Sequence, residues 1–159
     1  MPIVEPADLP ACLAPRQRLL GLDLGTKTIG LALSDPGLVV ASPIATIRRK
    51  KFTADAESLF ALVDEHGVGG LVLGLPRNMD GSEGPRCQST RQFAANLLTR
   101  RDIAIAFWDE RLSTAAVERA MVAEGDVSRA KRAEIVDQVA AGYILQGYLD
   151  SLPRRQSAG

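Results

Sequence analysis

A chain of 159 residues, 46% hydrophobic and 24% charged, is the size of one domain with its own core, and it has no apolar run near the roughly 20 residues that cross a bilayer. Nineteen basic and nineteen acidic side chains cancel to a net charge of zero. That balance suits an enzyme acting on a small neutral metabolite, and a nucleic-acid partner would have to meet a local basic cluster. Such clusters exist at Arg48-Arg49-Lys50-Lys51, Arg100-Arg101, Arg129 with Lys131 and Arg132, and Arg154-Arg155. Cys12 and Cys87 fit no metal spacing, and no export pattern opens the chain, so both read as reduced thiols in a cytoplasmic protein.

In chain order, residues 1–17 are rich in Pro and Ala and read as a loose arm. Leu19 to Leu24 is a nearly continuous apolar run, the mark of a buried strand. Gly25-Thr26-Lys27 turns the chain into Thr28 to Ser34, where Ile29, Leu31 and Leu33 alternate with smaller residues. After the Asp35-Pro36-Gly37 turn, Leu38 to Ile47 reads as a third strand, interrupted by Pro43. Thr53 is placed to cap a helix to about Glu65 with Ala56, Leu59, Phe60 and Val63 as its apolar stripe. Gly70 to Leu75 is a buried strand, Pro76 to Pro85 a glycine-rich loop, Arg86 to Arg100 a helix and Ile103 to Trp108 a strand. Ser113 is placed to cap a helix to about Glu124, and Ser128 a last helix to about Leu152. The order β-β-β-α-β-α-β-α-α predicts an α/β fold: a mixed five-stranded sheet, three antiparallel strands then α/β crossovers, flanked by helices. One domain spans 18–152, with 1–17 and 153–159 expected as flexible tails.

Three acidic positions stand out. Asp23 sits within a buried apolar strand, where a carboxylate is costly unless paired or metal-bound; it could also accept hydrogen bonds from the Gly25 to Lys27 turn. Asp137 shares a helical face with Ala133, Ala140, Ala141, Ile144 and Tyr148, about nine residues beyond the Ser128 cap, too deep for a helix-start acid. Asp109-Glu110-Arg111 follows a strand end, where α/β sheets bind ligands, although charges there usually mark a turn. Carboxylates from these three places converging at one sheet edge would repel unless Mg²⁺ or Mn²⁺ neutralised them. Two such ions about 3.5–4 Å apart can activate water and stabilise the leaving oxygen of a phosphodiester. The single histidine, His66, reads as a helix C-terminal residue before Gly67. In the loop after the second buried strand, glycines would let backbone N–H groups approach a phosphate while Arg77 and Arg86 clamp it; the alternative is an ordinary surface loop.

Four blocks carry a family resemblance. Gly21-Leu22-Asp23-Leu24-Gly25-Thr26-Lys27-Thr28-Ile29-Gly30 with Ala32-Leu33-Ser34-Asp35 resembles the opening of the YqgF (RuvX) family. Gly74-Leu75-Pro76 with Asp80-Gly81-Ser82-Glu83-Gly84-Pro85-Arg86, then Asp109-Glu110-Arg111-Leu112-Ser113-Thr114, then Asp137-Gln138-Val139-Ala140-Ala141 with Ile144-Leu145-Gln146, complete it in order. The resemblance covers Arg18 to about Ser151. It implies a ribonuclease H-like fold similar to the Holliday junction resolvases and a hydrolase that matures the 5′ end of precursor 16S ribosomal RNA in ribosome biogenesis. It maps the catalytic and metal-binding acids onto Asp23, Glu110 and Asp137, and the choice of Glu110 over Asp109 rests on it. Position 28, often Arg in the family, is Thr here, which removes one cation near the site.

The expected partner is nucleic acid, either precursor rRNA or branched DNA, with the ribosome a further candidate, no membrane, and a monomer or homodimer. Lys27, Arg77, Arg86, Arg111, Lys131 and Arg132 are the expected substrate-binding cations, whereas Arg48 to Lys51 reads as a solvated loop. Two rivals are an RNA-binding assembly module without catalysis, which the three acids oppose, and an ATP-binding phosphotransferase resembling Asp23-Leu24-Gly25-Thr26. The latter needs a second, duplicated domain that 159 residues do not supply.

Overall fold

The computed structural model describes residues 3–112 and 129–153, with side chains described for 3–111 and 138–153. Five strands, β1 (Arg18–Leu24), β2 (Thr28–Ser34), β3 (Ala41–Arg48), β4 (Val68–Leu75) and β5 (Ala104–Asp109), lie in the order β3-β2-β1-β4-β5. The first three pair antiparallel through tight turns. β4 and β5 join parallel, reached through the crossover helices α1 (Phe52–His66) and α2 (Pro85–Leu98). A long helix, α3 (Arg129–Ser151), closes the described chain. This is the ribonuclease H-like arrangement that the resemblance implies.

Strand alternation builds two cores. Leu20, Leu22, Ile29, Leu31, Leu71, Leu73 and Ile105 face α1 and α2, meeting Leu59, Val63, Phe93 and Leu97. Leu19, Ala32, Val72 and Ala106 face α3, meeting Ala140, Ala141, Ile144, Leu145 and Tyr148. The α3 side of the sheet carries small residues, so the helix lies close: a Cβ on Gly21 would stand 2.7 Å from the Leu145 Cβ and 3.2 Å from the Ala141 carbonyl.

Several boundaries differ from the sequence reading. The third strand starts at Ala41, not Leu38, because the Asp35 carboxylate gathers the amides of Gly37, Val39 and Val40 and Leu38 takes a left-handed φ of 58°. Thr53 does not cap α1: the Asp55 carboxylate accepts the Lys50 amide, and the Thr53 hydroxyl accepts a hydrogen bond from Arg100. The capping positions Ser113 and Ser128, and the helix expected from Ser113 to Glu124, lie outside the described residues. His66 ends α1 ahead of Gly67, whose φ of 64° makes the left-handed cap.

The largest correction concerns the arm. Residues 3–12 are not loose but dock along β5 and α3. Ile3 bridges Ile105, the Val4 amide donates to the Ile105 carbonyl, and Leu9 is fully buried. Gly70 makes room for it, since a Cβ there would meet Leu9 at 3.0 Å. The buried Tyr148 hydroxyl donates to the Pro6 carbonyl at 2.5 Å.

Candidate active site

The parity of β1 that sends Leu20 and Leu22 toward α1 and α2 sends Leu19, Gly21 and Asp23 toward α3. Asp23 is therefore a carboxylate in the α3 layer, only 2% exposed, at the carboxyl end of the central strand. Its partner across the β1–β2 ladder is Gly30, so no side chain crowds it from that strand. On the other flank the register continues from the Leu22–Leu73 pair to Gly74, which pairs with Trp108. Gly74 also lacks the side chain that would fill the space: a Cβ there would stand 3.1 Å from the Glu110 Cγ and 2.5 Å from the Ile144 Cδ1. Glu110, first residue past β5 in a short 3-10 turn, thus lies on the α3 side of the sheet, as Asp23 does.

Asp109 goes elsewhere. Its carboxylate accepts the Arg111 guanidinium through Nε at 3.1 Å and Nη2 at 2.7 Å, and the Arg111 amide at 3.0 Å. Those hydrogen bonds from Arg111 hold its pKa below the usual carboxylate value. The two adjacent acids therefore differ in placement: the Asp109 carboxylate is taken up by Arg111 at the strand end, and the Glu110 Cγ packs over Gly74 on the α3 side.

The third acid is located by its backbone. Gly142 packs against Pro43, and the Gln146 side chain accepts the Ala41 amide, so α3 runs toward the amino end of β1. Ala141 lies over Gly21. One helical turn earlier is about 6 Å, and two strand residues are about 6.7 Å, so the backbone of Asp137 stands at the level of Asp23. Its side chain lies outside the described set. Among the described residues no three acidic, histidine or cysteine side chains group as metal ligands.

The cations expected to grip substrate sort unevenly. Arg111 is committed to Asp109 and to the Met79 carbonyl, clamping the loop between β4 and α2 to the end of β5. Arg77 lies 3.6 Å from Glu83, which also takes a bidentate hydrogen bond from Arg91. Lys27 and Arg86 are exposed and, among the described residues, pair with no carboxylate. The side chains of Lys131 and Arg132 lie outside the described set. The loop is tied by its own bonds, Asn78 amide to Ser82 carbonyl and Ser82 to the Asp80 carboxylate, with Gly81 at a φ of 88°. Sequence reading missed Gly30 and Gly74 as parts of the site; a glycine inside a strand pattern is itself the signal of a close approach.

The family model described as RuvX, Holliday junction resolvase, matches residues 17–151. The chain belongs to the RuvX family. A relative in Paramagnetospirillum magneticum, named "Putative pre-16S rRNA nuclease", is 66% identical over 151 residues, covering 95% of this chain and 97% of its own. Another of that name in Rhodospirillum rubrum is 59% identical over 156 residues, covering 98% and 97%. Among solved structures, RuvC of T. thermophilus in complex with a Holliday junction substrate matches with a TM-score of 0.49 at 8% identity, covering 82% of this chain and 91% of that one. The yeast mitochondrial Holliday junction resolvase Ydc2 matches with a TM-score of 0.49 at 12% identity, covering 89% and 81%.

Proposed function

We propose that this RuvX chain is a nuclease that hydrolyses a nucleic-acid phosphodiester with Mg²⁺ or Mn²⁺, and that its substrate is the 5′ region of precursor 16S rRNA. The observation that carries the reading is the buried Asp23 carboxylate, set on the same side of the sheet as Glu110 and flanked by Gly30 and Gly74. Carboxylates gathered on one side of a sheet repel one another, and a shared divalent cation offsets that repulsion. The names of the relatives supply the RNA substrate, which no residue here specifies by itself.

The donor set fits a hard divalent cation, because it consists of carboxylate oxygens without thiol or imidazole. Asp23, Glu110 and Asp137 would hold it. When bound, such a cation lowers the pKa of water and offsets charge on the phosphate oxygens. The chain's own contribution is placement. Asp23 is fixed by the central strand, Glu110 is fixed by the Asp109–Arg111 clamp that shapes the end of β5, and the close approach of α3 brings Asp137 to their level. Lys27, Arg86, Lys131 and Arg132 are the cations we assign to the phosphates, and Arg77 and Arg111 hold the loop.

No helix among the described residues is long and apolar enough to cross a membrane, and we assign the chain to the cytoplasm with the rRNA it would process. A four-way DNA junction is the second substrate reading, carried by the description of the family model. Matched precursor RNA and junction substrates, each with Mg²⁺ and with EDTA, separate the two. Metal-dependent trimming of the RNA with the junction intact supports the first reading, and symmetric nicking of the junction with the RNA intact replaces it.

A further inference from the structure

The net charge of zero conceals an uneven distribution. The cations of the β4–α2 loop and of the β5 end face acids: Arg77 and Arg91 meet Glu83, and Arg111 meets Asp109. The β3–α1 connection is different. Arg48, Arg49, Lys50 and Lys51 are exposed in succession, and neither Lys50 nor Lys51 is paired with a carboxylate among the described residues. The nearby acid, Asp55, is buried, and its carboxylate accepts the Lys50 amide.

This connection is fastened to the end of the sheet where Asp23 lies. Arg48 pairs with Thr28 across β2 and β3, the Arg49 amide donates to the Lys27 carbonyl at 2.8 Å, and the Arg49 guanidinium donates to the Gly25 carbonyl at 2.7 Å. Gly25 is two residues past Asp23. On its outer side the segment is stacked. Arg49 lies over the Phe93 ring at 5.6 Å, Phe93 meets Phe52 edge-to-face at 5.5 Å, and Arg100 lies over Phe52 at 5.5 Å. Lys27, Arg49, Lys50, Lys51 and Arg100 thus form a basic seam running from the β1–β2 turn along the junction of α1 and α2. Its arginines are held by rings, the Gly25 carbonyl and the Thr53 hydroxyl rather than by acids, so their charge is not cancelled and less entropy is lost to ordering at binding.

We infer that this seam is the track that holds the sugar-phosphate backbone of the nucleic-acid substrate where it leaves the acid site and passes around the β1–β2 turn from the α3 side of the sheet to the α1 and α2 side. The inference rests on the nuclease reading for the identity of its partner, and it moves most of the substrate grip from the glycine loop to the β3–α1 connection. Uncancelled cations in a row release counterions when they meet phosphates, whereas cations already facing acids release few.

The test uses the full chain and a labelled RNA hairpin with a single-stranded 5′ extension. Binding is titrated without divalent ions over a range of salt concentrations, and cleavage is followed separately with Mg²⁺. Lys50→Gln with Lys51→Gln leaves the fastening bonds of Arg49 in place. The pair is expected to weaken binding and to flatten the plot of log affinity against log salt by about 1.5, from two contacts at about 0.7 to 0.9 each. KM should rise with kcat unchanged. Arg16→Gln, at the opposite end of the sheet, is expected to leave the slope unchanged. Wild-type affinity and slope in the lysine pair would overturn the seam while leaving the nuclease reading intact, and so would a wild-type chain that does not bind the RNA. A wild-type chain that binds without cleaving would end the nuclease reading, and the slopes would still decide the seam.

Discussion

Gly74 contributes to the site by what it lacks. A methyl there would press on the first side-chain methylenes of Glu110 at 3.1 Å and on the tip of Ile144 at 2.5 Å. The Ile144 tip can turn aside, but Glu110 can only shift its carboxylate. Gly74→Ala is therefore expected to fold and to lose roughly 10²-fold in cleavage, since displacements near 1 Å cost that much in a positioned site. Full activity in a folded Gly74→Ala chain would show that the place of Glu110 does not matter. The neighbouring pair gives a sharper contrast. Glu110→Gln should abolish cleavage, whereas Asp109→Asn should only reduce it, by loosening the clamp that positions Glu110, and should lose stability, because Asp109 serves Arg111. Its hydrogen bonds from Arg111 depress the Asp109 pKa below the ordinary 3.8. A depressed acid stabilises the fold fully above its unfolded value and loses that contribution as pH falls through the lowered one. The stability gap between wild type and Asp109→Asn, read from urea midpoints, should be level from pH 5 to 8 and close below pH 4. A gap that widened in acid would reverse this assignment.

At the scale of elements, the placement of α3 decides whether three acids can meet. Gly21 sets its height, and Gly21→Ala must push back the Leu145 Cβ at 2.7 Å and the Ala141 backbone. Overpacking of this kind costs about 1–3 kcal/mol, and lifting α3 carries Asp137 away from Asp23. Loss of stability together with loss of cleavage is the expected pair of effects in denaturation and activity assays. The docked arm offers an independent check. Tyr148→Phe removes a buried hydrogen bond to Pro6 and should cost about 1 kcal/mol in chemical denaturation without touching the acids. The β1–β2 hairpin, β4 and the helices around them were legible because alternation and 3.6-residue periodicity dominate there. The arm was not, because Ile3, Val4 and Leu9 are spaced among prolines with no period, and only the Gly70 gap explains where Leu9 goes. The start of β3 was misplaced because Asp35 spends its carboxylate on three amides, a local bond pattern that hydrophobicity does not reveal.

At the scale of the molecule, the same chemistry was half visible. Asp23 and Asp137 announced themselves as acids among apolar neighbours, because burial penalties can be read from composition alone. Sequence physics does not tell Glu110 from Asp109; in space the Arg111 bonds take up Asp109 while Glu110 packs over Gly74. Charge placement was not legible in the sequence. Arg77 and Arg111, expected as substrate-binding cations, face Glu83 and Asp109 in space, while the exposed Arg48 to Lys51 run is tied through Arg49 to the Gly25 and Lys27 carbonyls. A linear charge run does not show which acids will face it, and a neutral total does not show where the field is positive. The central claim is that Asp23 is a carboxylate kept buried for metal-dependent hydrolysis. It is tested most directly by cleavage of a 5′-extended precursor 16S rRNA substrate by wild type and Asp23→Asn, in Mg²⁺ and in EDTA, beside a thermal melt of each protein. The expected result is cleavage by wild type in Mg²⁺ alone, none by Asp23→Asn, and a melting temperature for Asp23→Asn equal to or above wild type, because a repulsive buried charge is gone. Undiminished cleavage by Asp23→Asn, or cleavage by wild type in EDTA, would contradict it.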